Sequence, residues 1–375
     1  MLRILIVAGL LLPNVIHAQE TLPPDRYAKQ LDPILERTMQ ETKVPGLAVG
    51  VVENGKLVFS RGLGLMKLGD VASPITPKTL FHMASVTKTF VAASVMQLVE
   101  QKKIDLDAPV KKYLPYFSIN DQRLEKVTVR QMLSHTSGMP DTDYYGWDKP
   151  QYDEQALERY VRSLSNLKLL ADPGTKFAYS NIAYEVLGDL VAKVSQQSFE
   201  AYVEEHLLTP VGMKTSTLLV KNADAALLAS GHTKTGQGPW QMVQHYPYNR
   251  AHTPSSNLHS NIEDMARWIM FNLNRGELDG KRLLADTSFE VMWKPVIDIK
   301  PPEKMGLCWF LNESKGERMI KHFGSDDGFL TAVLMFPDKR LGIIILINSD
   351  NAPLRYLIQQ SIAVALGRTK DIDLK

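Results

Sequence analysis

Apolar residues recur at helical spacing near the start of the chain, at Tyr27, Leu31, Ile34, Leu35 and Met39. They predict a helix over residues 26–43, stopped by Val44-Pro45-Gly46. Two short apolar runs follow, residues 47–52 and 56–60, on either side of Glu53-Asn54-Gly55. Asn-Gly is a strong tight-turn signal, so the two runs predict a β-hairpin. A long apolar helix begins after Ser85 and ends near Lys102. From about residue 105 to 290 the period stays mostly helical. Thr128-Val129-Arg130-Gln131 has the form of a capping box. Ile182, Val186, Leu187, Leu190 and Val194 share one face of a helix over residues 181–194. Ser198 can cap the next helix, which runs to Leu208 before Pro210, and residues 261–273 form another amphipathic helix. The pattern then returns to strands over residues 307–311, 319–323, 329–336 and 341–348, with a last helix over 353–366.

Strands at both ends and helices between them predict an α/β (α+β) fold. One antiparallel sheet is formed from both chain ends and flanked by helices, with an all-helical lobe inserted. The expected division is residues 19–84 plus 300–375 for the sheet domain and 85–299 for the mostly helical lobe. Together they make one catalytic unit, with Ser85 at the junction and a cleft between the two parts. The first residues follow another rule. Met-Leu-Arg, an apolar run from Ile4 to Leu12 and a small residue at Ala18 read as a secretory signal peptide over residues 1–18. That run is too short to span a bilayer. The expected localisation is secreted or periplasmic, with no transmembrane anchor.

The 375 residues are enough for one large core or two closely packed lobes. A formal charge of +2 gives no reason to invoke nucleic acid or an anionic membrane. The single cysteine, Cys308, excludes an internal disulfide and a multi-cysteine metal site. It lies in the apolar run Gly306-Leu307-Cys308-Trp309-Phe310 and reads as a small core residue. No His-Glu-x-x-His or carboxylate-rich loop is present, so neither metal nor cofactor is expected.

The candidate chemistry starts at Ser85-Val86-Thr87-Lys88. Serine and lysine three apart on a helix lie on one side, one turn apart. A lysine can take a serine proton only if burial or a neighbouring cation lowers its pKa. Phe81, Met83, Phe90 and Val91 offer such burial. The spacing alone is weak: about one match per chain of this length is expected by chance. Ser165-Asn166-Leu167-Lys168 is such a match without supporting context. Tyr179-Ser180-Asn181 is the only Tyr-x-Asn. Its tyrosine can share a proton with serine and lysine, with its pKa lowered by the lysine, and its asparagine can bind a substrate carbonyl or N–H. The bland alternative is a helix cap and a packing residue. His322-Phe323-Gly324-Ser325 ends a strand-like run. Gly324 leaves room for a substrate backbone, His322 can bring a polar or protonated group to the mouth of the site, and the N–H groups of Ser85 and Ser325 can form an oxyanion hole.

In this order, Ser-x-x-Lys, Tyr-x-Asn and a basic-x-Gly strand resemble the class C β-lactamase group. That group includes penicillin-binding DD-peptidases, D-aminopeptidases and β-lactamase-like carboxylesterases. The segments Leu133-Ser134-His135-Thr136-Ser137-Gly138 and Asp172-Pro173-Gly174 agree, as do the stretches around Asn261 to Trp268 and Gly306 to Phe310. The resemblance covers essentially the whole chain after residue 18. It implies an acylated Ser85, Lys88 as its base and Tyr179 in proton transfer to the leaving group. It also implies Asn181 on the acyl side of the substrate, His322 and Gly324 as the opposite wall and Ser325 N–H in the oxyanion hole. The third motif departs from the Lys-Thr-Gly of lactamases: His-Phe-Gly is weaker toward a carboxylate at neutral pH. A literal Lys234-Thr235-Gly236 is followed by Gln237-Gly238-Pro239 and reads as an exposed turn. His135 reads as a residue that satisfies backbone groups, and the aromatics of Asp143-Tyr144-Tyr145-Gly146-Trp147 either line an apolar pocket or pack a long loop.

The expected activity is that of a serine hydrolase acting on an ester or amide through a Ser85 acyl-enzyme. Its substrate is a small molecule or short peptide, in the peptidase, esterase or lactamase branch. A penicillin-binding sensor without efficient turnover is the alternative. The pattern does not give an oligomeric state.

Overall fold

The structure is a computed structural model and describes residues 25–142, 144–314 and 316–368. The expected signal peptide lies outside the described residues, as does Asp143 of the aromatic segment. Strands β1 (Gly46–Glu53) and β2 (Lys56–Gly64) form the predicted hairpin. Asn54 and Gly55 both take positive φ, 50° and 76°, as the two central residues of a hairpin turn of that hand do. Six more strands come from the other end of the chain. They are β3 (Ile297–Lys300), β4 (Glu303–Met305), β5 (Phe310–Ser314), β6 (Glu317–Asp326), β7 (Phe329–Phe336) and β8 (Leu341–Ile347). The eight strands make one antiparallel sheet in the order β2-β1-β8-β7-β6-β5-β4-β3. The first hairpin joins it along β8, with Leu47 opposite Ile347 and Val51 opposite Ile343.

β1 and β8 are apolar at nearly every position because both faces of the sheet are covered. Alternate residues serve opposite cores. Leu47, Val49, Val51, Ile343, Ile345 and Ile347 pack with helices α1 (Asp25–Thr42) and α5 (Leu354–Ala365). Ala48, Val52, Ile344 and Leu346 pack into the larger core on the other face. That core also holds α2 (Lys88–Glu100), α3 (Asn181–Ser195) and α4 (Ile262–Leu273). The capping box at Thr128 and Gln131 is present, and Ser198 caps its helix.

Three expectations shift. α4 belongs to the span assigned to the helical lobe, yet it packs on the sheet. Gly50 and Gly342 make this possible: a Cβ on either would stand 2.6 Å from Ile262 or 2.2 Å from Ile269. The sheet also begins before residue 300: β3 and β4 form an edge hairpin, and the alternation that marks β3, Ile297-Asp298-Ile299-Lys300, spans only four residues. Finally, residues 307–309 are not strand. Gly306 and Trp309 close a turn through a 2.9 Å backbone hydrogen bond, and Cys308 takes a φ of 75° with its N–H donated to Leu133 O. Cys308 is wholly buried, and burial pushes its thiol up to about 12. Among the described residues, no helix is long and apolar enough to cross a membrane.

Candidate active site

The turn that carries Ser85 is clamped from two sides. Met83 N–H donates to Leu258 O at 2.7 Å, and Thr331 Oγ1 on β7 donates to Met83 O at 2.8 Å. Ala84 takes a left-handed φ of 47°, a conformation that a residue with a Cβ adopts at a cost. A 3₁₀ turn, Ala84–Thr87, then feeds directly into α2. From Lys88 to Leu98 every residue of α2 is buried, and Phe90 stacks on Trp268 with ring centroids 3.9 Å apart. Gly324 on β6 lies beneath this turn. A Cβ there would stand 2.3 Å from Thr331 Oγ1 and 2.4 Å from Met83 O. The room that the sequence suggested for a substrate backbone is filled on this face by the protein's own turn.

Lys88 is wholly buried. Its Nζ reaches Ser85 Oγ at 2.9 Å, Asn181 Oδ1 at 2.5 Å and Ser255 O at 2.9 Å. The two carbonyl oxygens can only accept hydrogen bonds. An unprotonated amine therefore spends both its N–H groups on them and turns its lone pair toward the Ser85 hydroxyl. Burial lowers the Lys88 ammonium to about 8, and the carboxylates of Glu185, Asp326 and Asp141 keep it from falling further. The Asn181 amide is oriented by the same logic. Its Nδ2 donates to Asp141 Oδ2 at 3.1 Å and to Tyr145 Oη at 2.6 Å, which leaves Oδ1 facing Lys88. The helix cap is Ser180, whose hydroxyl accepts from Ala183 N. Asn181 is thus free of that duty.

Tyr179 lines the same cleft as Ser85. Its ring stacks on His135 at 4.3 Å, and Lys88 Nζ stands 5.2 Å from its centroid. Burial pushes the Tyr179 phenol well above its ordinary value, and its hydrogen bond with Ser85 offsets this only in part. The expected lowering by Lys88 is not found, and the resting phenol is neutral. His135 accepts Ser180 N–H on Nδ1 at 3.1 Å, and burial drives its imidazole far below the usual range. His322, Gly324 and Ser325 all border the cleft. The His322 side chain, however, is 0% exposed and does not stand at the mouth. Its Nδ1–H donates to Phe323 O at 2.8 Å, so Nε2 carries the lone pair. Burial and the nearby Lys88 charge push its imidazole down to about 3, which makes it neutral at neutral pH.

The cleft holds about 780 Å³. Tyr144, Tyr145, Gly146 and Trp147 line it, which answers the two readings of that segment in favour of a wall. Lys234-Thr235-Gly236 is an exposed turn away from it. Three polar groups, Asp141, Ser255 and Glu185, escaped the sequence reading, and Tyr145 was read there only as a ring. Asp141 and Tyr145 hold the Asn181 amide, and Ser255 offers Lys88 its carbonyl while its hydroxyl donates to Glu185 Oε1 at 2.6 Å. Glu185 is fully buried and also meets His252 Nδ1 at 3.1 Å. Only its spacing, one turn after Asn181 on α3, was available as a signal. Among the described residues, no group of three or more His, Cys, Asp or Glu side chains is placed to hold a metal ion.

A helix-flanked antiparallel sheet with a buried Ser-x-x-Lys at its junction with a helical lobe is the architecture of the serine β-lactamases and penicillin-binding proteins. The chain belongs to the Beta-lactamase family, whose model matches residues 31–366. Its fold is similar to the octameric penicillin-binding protein homologue from Pyrococcus abyssi, with a TM-score of 0.80 and 27% identity over 91% of this chain and 78% of that one. It also shares its fold with a penicillin binding protein from Bacillus halodurans, with a TM-score of 0.74 and 24% identity over 88% of this chain and 98% of that one. The chain is 30% identical over 329 residues to protein flp of Staphylococcus aureus, covering 87% of this chain and 64% of that protein. It is 26% identical over 333 residues to the unguisins hydrolase ungD′ of Aspergillus campestris, covering 84% of this chain and 60% of that protein. The chain thus spans less than two thirds of the length of these curated relatives. Family and fold together support a hydrolase.

Proposed function

We propose that the protein is a serine hydrolase that cleaves an ester or amide through an acyl-enzyme on Ser85. The observation that carries this reading is the Lys88 amine, sealed from water, 2.9 Å from Ser85 Oγ and lowered to about 8. Ser85 Oγ attacks the substrate carbonyl carbon while its proton passes to the Lys88 lone pair. The tetrahedral oxyanion is met by the N–H groups of Ser85 and Ser325. As the C–O or C–N bond breaks, the neutral Tyr179 phenol gives its proton to the leaving group and is reprotonated from the Lys88 ammonium. Water then attacks the acyl-enzyme with the same groups run in reverse. Asn181 would hold the acyl side of the substrate by breaking its bonds to Asp141 and Tyr145. A neutral, buried His322 offers no cation for a drug carboxylate, which favours the esterase and aminopeptidase branches over β-lactam hydrolysis.

The test is covalent labelling. A fluorophosphonate is expected to modify Ser85, located by mass spectrometry, and short p-nitrophenyl esters are expected to turn over. A fluorescent penicillin should label slowly and leave slowly. Absence of any adduct at Ser85 from both probes would sink the nucleophile assignment.

A further inference from the structure

We propose that this cleft selects a substrate carrying a protonated amine and discriminates against one carrying a carboxylate. The proposal deepens the hydrolase reading and rests on it for the place of the reacting bond. Its basis is the set of charges around Ser85. Asp148, Asp326, Asp327 and Asp350 line the cleft, and no lysine or arginine lines it among the described residues. They approach from separate elements. Asp326 ends β6 and Asp327 begins the turn after it, Asp350 follows β8, and Asp148 stands across the cleft on the aromatic segment. Asp326 is held in place by His82 Nε2 at 2.7 Å and by the Ser256 hydroxyl. Asp350 accepts Gly328 N–H at 3.1 Å.

The Asp148 carboxyl is lowered by its hydrogen bond from Tyr144 and by the fields of Lys149 and His245, so its charge is partly answered, whereas no cation among the described residues acts on Asp327. The Asp327 carboxyl is raised above its ordinary value by partial burial and by the fields of Asp326 and Asp350. The basic groups beneath the cleft are out of reach of a ligand in it: Lys88 is sealed under Ser85, and the His322 imidazole is neutral and buried. His245, on the exposed rim, is the one other basic side chain in the lining. The aromatic wall adds to the preference. Tyr145 and Trp147 are stacked at 5.2 Å, and Tyr144 is 63% exposed, so ring faces are available to an ammonium group. A carboxylate entering here meets four like charges, with His245 on the rim as the one exposed basic side chain in the lining. An ammonium meets the opposite sign from both sides. The class of substrate that fits is an ester or amide with a free amine near the reacting carbonyl, such as an aminoacyl compound with an open N-terminus.

Calorimetry on the Ser85→Ala variant at neutral pH reads this without catalysis. Three ligands share the alanine p-nitroanilide body and differ at its amine, which is free and cationic, N-acetylated and neutral, or N-succinylated and anionic, each in both hands. The cationic member of at least one hand should bind about tenfold or more tighter than its succinyl counterpart, with the acetyl form between them. About 0.5 M NaCl should narrow that gap. Asp327→Asn and Asp350→Asn, each separately, should narrow it at low salt. Equal or tighter binding of the succinyl ligand, no detectable binding of either cationic ligand, or a gap indifferent to salt and to both variants would overturn the proposal. Fluorophosphonate labelling of the wild-type Ser85 is read separately, so a failed charge preference and a failed hydrolase reading give different results.

Discussion

The chain contains Ser-x-x-Lys twice in comparable local settings, and the two copies have opposite surroundings. Ser85 and Ser165 both sit in 3₁₀ turns, Ala84–Thr87 and Ser163–Asn166. Beyond the first turn the backbone continues into α2, so Lys88 stays beside Ser85. Beyond the second, Leu167 swings to an extended ψ of 156°, and Lys168 leaves the helical path. Lys88 is wholly buried with three oxygen partners, whereas Ser165 and Lys168 are both exposed. The comparison teaches that spacing supplies at most a neighbour. Burial makes that neighbour a base, because it removes the water that would otherwise stabilise the ammonium.

The largest expected effect breaks the comparison outright. Ser85→Ala should lower kcat/KM on a p-nitrophenyl ester by about 10³-fold or more, as loss of a nucleophile does. Ser165→Ala should leave it unchanged. Equal losses at the two serines would show that neither is the nucleophile. Next comes the base. Lys88→Met should cost about 10²–10⁴-fold, the range of a lost general base, while Lys168→Met costs nothing. Both rates are read on protein whose circular dichroism is unaltered.

Much of this arrangement was legible beforehand, and the gaps have physical causes. The strands at both chain ends, the hairpin at Asn54-Gly55 and the one-sided helix at Asn181 follow from period and turn chemistry, which are local. The position of α4 on the sheet depends on two glycines, Gly50 and Gly342, about 290 residues apart in the chain, and no local pattern pairs them. Residues 307–309 looked like strand because they are apolar, but their burial comes from a turn tied to Leu133 O. At the site, Ser85, Lys88, Tyr179 and Asn181 were found by motif, and the structure brings them together. Asp141, Ser255 and Glu185 were not, because each acts on its neighbour through contacts 40 or more residues apart. The place of His322 at the mouth was expected wrongly for a related reason: only packing reveals that its ring is sealed.

Gly324 sharpens the same contrast from the supporting side. The Ser85 turn is pressed onto β6 through a position where any side chain collides with Thr331 Oγ1 and Met83 O. Backbone cannot yield as a flexible side chain would. Gly324→Ala should therefore destabilise the fold by about 1–3 kcal/mol and lower activity through a displaced turn. Thermal unfolding and ester turnover, measured together, check it. Full stability and full activity would mean the turn is not seated as described.

The smallest effect concerns how far burial alone sets the base. Lys88 is balanced between desolvation, which lowers it, and the carboxylates Glu185, Asp326 and Asp141, which raise it. Its reactive form is the unprotonated amine. Activity should thus rise with pH and level off above about 8. Glu185 touches neither Ser85 nor the cleft, and it reaches Lys88 through Ser255, whose hydroxyl it binds. Glu185→Gln keeps the shape and an acceptor for that hydroxyl but removes the charge. The Lys88 ammonium then loses an opposite charge that stabilised it, so its pKa falls. The acid limb of kcat/KM should move to lower pH by about half a unit to one unit. The variant would gain on the wild type below about 8 and match it above. Damage to packing alone would depress the rate at every pH and leave the limb where it was. A limb that moves upward, or stays in place at full activity, would mean that burial sets the Lys88 base without help from Glu185.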